Sequence, residues 1–290
     1  MRWLTLLLLA VIVACAPAPG AEPTTTVPAA TTSSFLASTT TELVATTEPV
    51  AGCPQDAVFV DRGRVARVDQ PTSDTNRLGL ISWQVVEGCE RFAIDLETNE
   101  GAPATTPPTV VVEFLESRQV LRLWIDVDST VVTDQLVETS LVDRLYVVRA
   151  LDGAMFVDFH LASPAQARVV ISSSPARLSL EMQAALDPFL TLAVISDRIV
   201  VISPASAAET GSTVAVSGYA RAFDANVHVI ATQSGQVVAD TVATAADWQD
   251  TWGEFRTTVV LPPGEISVLI GEEGAGDGQI TGPTISLTVQ

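Results

Sequence analysis

The chain has 290 residues and a formal net charge of −19, with 34 acidic residues against 15 basic ones. Every basic residue is Arg, so no Lys is available as a nucleophile. The acidic surface would repel a phosphate backbone, which argues against nucleic acid as a partner and against electrostatic binding to an anionic lipid surface. The length allows two domains, and the frequent Val with regularly spaced Gly and Pro favours a β-rich protein.

Residues 1–15, MRWLTLLLLAVIVAC, have the pattern of a secretory signal. Arg2 gives a basic start, and the apolar run that follows would be about 16 Å long as a helix, well short of the roughly 30 Å of hydrocarbon in a bilayer. The ending IVAC resembles the bacterial lipoprotein signal, in which a small residue precedes a Cys that is lipidated and becomes the new N-terminus. The resemblance predicts lipidation at Cys15 and an extracytoplasmic protein anchored to the cell membrane. The alternative is an ordinary cleaved signal with an incidental Cys.

Residues 16–51 are rich in Thr, Pro and Ala and have few large apolar side chains. Such a segment cannot bury enough apolar surface to offset the entropy of ordering it, so we predict a disordered tether. As a flexible coil it would span roughly 30–36 Å. The tether would hold the folded part of the chain away from the membrane.

The chain has three Cys residues, an odd number, so at least one of them has no disulfide partner within the chain. If Cys15 carries a lipid, Cys53 and Cys89 remain as one pair in an oxidising compartment. We therefore predict a disulfide between them. The alternative is two unrelated free thiols.

The first folded region is predicted over residues 52–185. Short runs with period-two alternation recur between turn signals, as in Phe92, Ile94 and Leu96, which alternate with smaller or polar residues. Asp152-Gly153 between two such runs is the strongest hairpin signal in the chain. The pattern is typical of an all-β sandwich or small barrel.

Four segments of this region together resemble an AMIN-like domain, a small β-domain of secreted bacterial proteins that is related to the targeting domain of cell-wall amidases. They are EGCERFAIDL at residues 87–96, YVVR at 146–149, VDFHL at 157–161 and PARL at 175–178. These motifs are core strands rather than site residues. The resemblance therefore implies a fold more than a function.

A second β-region is predicted over residues 198–290, with about seven short strands and regular turns, as in an immunoglobulin-like sandwich. Four of its segments resemble the immunoglobulin-like domain of bacterial spore germination proteins: ISP at 202–204, VSGYA at 216–220, FDA at 223–225 and WGEF at 252–255. The resemblance implies an extracytoplasmic interaction module. The predicted fold class is thus all-β, with two tandem β-sandwich domains after a signal peptide and a disordered linker.

The sequence offers no convincing catalytic set. His160 and His228 lie in different predicted domains, and neither has a nucleophile elbow or enough companions for a zinc site. Asp126 and Asp128 share a strand face at a spacing that glycosidases use, but this pattern is common. The acidic, Gly-rich residues 271–282 lack the ligand spacing of an EF-hand calcium site, and we predict a flexible loop there. We predict no catalytic residues, no metal and no cofactor.

Aromatic side chains are the remaining candidates for contacting a sugar or a protein. Trp248 and Trp252 flank a short polar segment in a predicted loop, and they are the candidate partner contacts. The alternative is that Trp252, with Phe255, fills the core of the immunoglobulin-like domain, which leaves Trp248 as the freer side chain.

The predicted function is non-catalytic binding at the cell envelope, to peptidoglycan or to an envelope protein. One alternative is a structural adaptor that docks a protein through its immunoglobulin-like domain and has no affinity for the wall. An enzyme that acts on wall polymer is a more distant alternative, because no nucleophile or metal-ligand set is evident.

Overall fold

A computed structural model of the protein describes residues 53–290 except 55, 116–117, 187–190, 275 and 277. The predicted signal with Cys15 and the predicted tether lie outside the described residues. The all-β prediction is confirmed, because the described chain consists of strands and turns with one short 3-10 turn. In this described part no helix is long and apolar enough to cross a membrane.

The strands of the amino-terminal half form two sheets that face each other, which we call the amino-terminal sandwich. These strands are β1 (Arg64–Val68), β2 (Arg77–Val86), β3 (Cys89–Glu97), β4 (Val110–Phe114), β5 (Val120–Ile125), β6 (Ser129–Thr130), β7 (Asp134–Leu136), β8 (Val142–Arg149), β9 (Met155–Leu161), β10 (Ala165–Ser172) and β11 (Arg177–Ala184). One sheet has the order β10-β11-β3-β2-β6, and the other contains β1-β4-β5-β9-β8, with β7 paired to β8.

The strands of the carboxy-terminal half form the second pair of facing sheets, the carboxy-terminal sandwich. They are β12 (Val194–Ile195), β13 (Ile199–Ser203), β14 (Ala208–Thr210), β15 (Thr213–Ala220), β16 (Asn226–Gln233), β17 (Gln236–Thr244), β18 (Trp252–Val260), β19 (Gly264–Glu273), β20 (Ile280–Thr281) and β21 (Thr284–Val289), with the 3-10 turn at Phe223–Ala225. One sheet contains β18-β15-β13-β12, and the other has the order β14-β21-β19-β16-β17, with β20 paired to β19.

Each sandwich encloses its own apolar core, which the alternation of its strands creates. In β3 the side chains of Phe92, Ile94 and Leu96 are buried in the amino-terminal core, as predicted from their spacing. In β18 the side chain of Phe255 is fully buried in the carboxy-terminal core. The Asp152-Gly153 turn joins β8 to β9, as the hairpin signal predicted.

A disulfide joins Cys53 to Cys89, with the two Cα atoms 5.4 Å apart. The structure thus contains the pair that the sequence predicted. The bond ties the segment before β1 to the first residue of β3.

The two sandwiches share one sheet. Strand β18 pairs in parallel with β8, with Trp252 opposite Val148 and Gly253 opposite Arg149, so the strand order β1-β4-β5-β9-β8 continues into β18-β15-β13-β12. Every residue of β9 is buried, because one face covers the amino-terminal core and the other face is covered by the carboxy-terminal sandwich. This shared boundary, which we call the junction, positions the candidate site.

Candidate functional site

The junction contains a buried aromatic cluster with residues from both sandwiches. The ring of Tyr146 lies 5.2 Å from that of Tyr219 and 4.7 Å from that of Trp252, and Phe156 lies 6.2 Å from Tyr219. Trp252 is only 3 % exposed, and its indole Nε1 donates a hydrogen bond to a carboxylate oxygen of Asp134 at 3.1 Å. Trp252 therefore fills neither core. Its large apolar surface holds the two halves of the chain together.

The site prediction for Trp252 therefore needs correction. A side chain that is 3 % exposed has too little accessible surface to serve as a main contact for an external partner. The alternative assignment to the core of the immunoglobulin-like domain holds for Phe255 but not for Trp252, whose neighbours are Tyr146 and Tyr219. Trp252, with its small exposed surface, is among the residues that line the cleft described below.

A buried ion pair lies beside these rings. Arg122 on β5 and Asp158 on β9 are directly opposite each other, and Nε and Nη2 of Arg122 each donate to Asp158 at 2.7 Å. The guanidinium also stacks over Phe156, 3.7 Å from the ring centre. Such a bidentate pair satisfies both charges away from water. It is a structural element of the junction.

His160 is part of the same buried network and is unsuited to catalysis. Its Nε2 forms a hydrogen bond with the hydroxyl of Tyr219, which belongs to the other sandwich. Burial, with the positive charge of Arg122 as a second cause, lowers the pKa of His160 to about 3, so the ring is neutral at physiological pH. Burial likewise raises the pKa of Tyr219 well above its usual value, so its hydroxyl keeps its proton.

The other candidate catalytic groups are not assembled into a site. His228 lies on β16 in the outer sheet of the carboxy-terminal sandwich, while Asp126 and Asp128 are exposed in the turn after β5. Among the residues that the structure describes, no cluster of three or more His, Cys, Asp or Glu side chains could hold a metal ion.

A cleft of about 590 Å³ opens at the surface where the two sandwiches meet. We call it the junction cleft. One wall comes from Asp134 on β7 of the amino-terminal sandwich, and the remaining lining residues belong to the carboxy-terminal half. The lining residues are Asp134, Asp197, Arg198, Arg221, Trp248, Gln249 and Trp252. The cleft thus combines an aromatic surface with carboxylate, guanidinium and amide groups.

The loop that carries Trp248 is held in a defined shape by Asp247. One carboxylate oxygen of Asp247 accepts hydrogen bonds from the backbone N–H groups of Trp248, Gln249 and Asp250, at 2.6, 3.0 and 3.2 Å. Gly253 allows this loop to approach β18, because a Cβ atom there would lie 2.2 Å from the backbone N and O atoms of Asp247. Trp248 is therefore positioned before any ligand arrives.

Phe223 supports Trp248 from a strained turn. Its ring meets that of Trp248 edge to face with 5.3 Å between centres, although Phe223 is 60 % exposed. The next two residues, Asp224 and Ala225, have φ values of 53° and 60°, a conformation that L-residues rarely adopt. Strained backbone of this kind is often retained where it presents a functional group. Here it keeps an aromatic ring at the surface beside Trp248.

The polar groups of the junction cleft are ordered, but several keep free hydrogen-bonding capacity. Arg198 pairs with Glu272 at 2.9 Å, and its Nε also donates to the backbone carbonyl of Arg221. The guanidinium of Arg221 donates to the backbone carbonyl of Gln249 at 3.4 Å and forms no ion pair within the described residues. Asp197 is exposed at the edge of the cleft.

The sequence pattern made Trp248 a candidate contact, and Trp248 lines the junction cleft, but the pattern gave no signal for the polar residues around it. Asp134, Asp197, Arg198 and Arg221 belong to no motif, and more than 60 residues separate Asp134 from the others along the chain. No local pattern could bring them together, because Asp134 reaches the others through the pairing of β8 with β18, and Arg198 meets Arg221 through the pairing of β13 with β15.

Comparison with known families gives one match. Residues 198–279 match the family model described as the immunoglobulin-like domain of bacterial spore germination (Gmad2). Comparison with the curated proteins and with the solved structures gives no match. The AMIN-like resemblance of residues 52–185 stays a prediction. Over residues 198–279 the carboxy-terminal sandwich is thus similar to the spore germination immunoglobulin-like domain, a non-catalytic type of domain, as its motifs predicted.

Proposed function

We propose that this chain is a non-catalytic binding protein of the cell envelope. In this proposal a lipid on Cys15 anchors it outside the cell membrane, residues 16–51 act as the tether, and an AMIN-like domain and an immunoglobulin-like domain present the binding surface. The bound partner is peptidoglycan or an envelope protein. The observation that carries the proposal is the match of residues 198–279 to a family of non-catalytic immunoglobulin-like domains.

Two features of the described residues support this proposal. His160 and Asp158, the polar residues most like a catalytic pair, are committed to structural partners at the junction. The junction cleft, in contrast, offers an accessible surface with an aromatic ring and polar groups that are already positioned, as in many binding sites between domains.

Fractionation of cells tests the anchor. Wild-type protein should be found with the membrane, and Cys15→Ala should be released from the membrane while its folded part remains intact, because the residue that carries the lipid would be absent. Retention of Cys15→Ala in the membrane fraction would contradict lipid anchoring.

Cosedimentation tests the binding partner. Purified residues 52–290 should sediment with purified cell walls, and the fraction bound should saturate as protein is added. We use the whole folded part, because removing either sandwich would expose the aromatic cluster of the junction. If the walls retain no protein while crosslinking in intact cells captures an envelope protein, the chain is an adaptor without wall affinity.

A further inference from the structure

The junction cleft has a composition suited to one class of ligand. Asp197 supplies acceptors, Arg221 supplies donors, and the Gln249 amide supplies both. A ligand that satisfies all three needs many groups that donate and accept at once, and sugar hydroxyls do so. Trp248, which is half-buried against the carboxy-terminal core, adds apolar surface to the cleft, against which the C–H face of a sugar ring can pack.

The charges of the cleft and of the whole chain argue against a polyanion. Two carboxylates, Asp134 and Asp197, and two guanidinium groups, Arg198 and Arg221, line the same opening. A polyanion would meet both carboxylates, and it would also be repelled by a chain whose net charge is −19. An uncharged ligand avoids both penalties.

The cleft is also preorganised, which reduces the entropy that binding must overcome. The three backbone hydrogen bonds to Asp247 fix the Trp248 loop, and the edge-to-face contact with Phe223 supports the indole ring. On the opposite side of the cleft, the Arg198 side chain is held by the hydrogen bond that its Nε donates to the backbone carbonyl of Arg221.

We propose that the junction cleft binds a saccharide built from uncharged sugar units, with Trp248 as the stacking surface and Asp197, Arg221 and Gln249 as hydrogen-bonding partners. This inference rests on the proposed binding function and names its ligand class and its site. Asp134 of the other sandwich completes the lining of the cleft.

Calorimetric titration of residues 52–290 with two tetrasaccharides tests the proposal, one of N-acetylglucosamine and one of glucose. We expect saturable binding of at least one of them with a dissociation constant below about 10 mM. Which of the two binds more tightly shows whether the cleft recognises acetamido groups. Trp248→Ala should weaken binding about tenfold, while Trp248→Phe, which keeps a ring, should weaken it less. Arg221→Gln and Asp197→Asn should each weaken it about fivefold.

The matched controls are Arg67→Gln and Asp69→Asn, which change an exposed ion pair of the amino-terminal sandwich and should leave binding unchanged. Thermal melts of all variants check that they are folded. Absence of binding to both tetrasaccharides, or equal affinity in the folded Trp248, Arg221 and Asp197 variants, would overturn the proposal.

Cosedimentation with cell walls separates this inference from the proposed function. If wild-type protein and Trp248→Ala sediment equally with walls and bind the tetrasaccharides equally, the protein binds the wall through another surface and the cleft proposal fails alone. If neither sediments, no tetrasaccharide binds and no envelope protein is crosslinked, both proposals fail.

Discussion

Breaking the buried ion pair at the junction should destabilise the protein strongly. The Asp158 side chain is 0 % exposed and the Arg122 side chain 11 % exposed, so little water is available as an alternative partner for either charge. Asp158→Asn keeps the shape of the side chain but removes its charge. The Arg122 guanidinium would then lose its hydrogen-bonded counter-charge, between the rings of Phe156 and Trp124.

The expected loss is about 3–5 kcal/mol of the free energy of unfolding, the usual cost of removing one partner of a buried pair. This is a large part of the roughly 5–15 kcal/mol that stabilises a typical domain. The double variant Arg122→Met with Asp158→Leu should recover most of the loss, since it removes the desolvation of both charges. The comparison separates the cost of an orphaned charge from the value of the pair.

Urea denaturation at pH 7, followed by tryptophan fluorescence, measures these differences. The control is Asp69→Asn, because Asp69 and its partner Arg67 are 66 % and 51 % exposed and their pair should contribute at most about 1 kcal/mol. If Asp158→Asn cost no more than this control, the junction would not bury Arg122 as described.

Three further predictions concern other parts of the fold. Since the pKa of folded His160 is about 3 and its ordinary value is 6.5, the unfolded chain takes up a proton first as the pH falls. Because of His160, the free energy of unfolding should therefore fall by about 1.4 kcal/mol per pH unit below pH 6.5. Urea titrations at pH 7 and pH 5 should show that the free energy of unfolding of His160→Gln falls less between these pH values than that of the wild type. An equal fall in both proteins would contradict the burial of this ring. Replacing Cys53 and Cys89 by Ser should cost about 4 kcal/mol on the chain-entropy model of a loop with a sequence separation of 36, and two reactive thiols in the denatured, unreduced wild-type protein would argue against the bond. Glu90, 2 % exposed, accepts hydrogen bonds from Thr139, Ser140 and the Leu141 N–H, so Glu90→Ala should lower the melting temperature through a loss of about 2 kcal/mol or more; an unchanged melting temperature would show that this contact is unimportant.

The strands and the two sandwiches could be predicted because their signals are local. Phe92, Ile94 and Leu96 alternate along β3, and Asp152-Gly153 marks a hairpin, so short windows of sequence are sufficient. The short strand β7 has no such local signal, and it is held by its pairing with β8.

The junction could not be predicted, because its signal resembles that of an exposed strand face. In β9, Phe156, Asp158 and His160 alternate with apolar core residues, which is typical of a strand with one face in solvent. They are buried because Tyr219 and other residues of the carboxy-terminal sandwich cover them. The partners are some 60 residues apart along the chain, and no repeating pattern encodes that contact.

Trp248 shows which part of the candidate site could be predicted from the sequence and which part could not. A Trp in a polar loop could be identified as a candidate contact from its residue type alone, and the structure leaves it partly accessible in the junction cleft. Its polar neighbours Asp134 and Arg221 could not, because contacts between residues distant along the chain bring them to the cleft.

The two sandwiches are joined as one unit by a shared sheet, and this joining brings Asp134 to the junction cleft. Differential scanning calorimetry of residues 52–290 measures whether they unfold together. We expect a single transition whose calorimetric and van't Hoff enthalpies agree, and a shift of that whole transition to lower temperature in Trp252→Ala. Two separate transitions, with one of them unchanged in Trp252→Ala, would show that the sandwiches are independent.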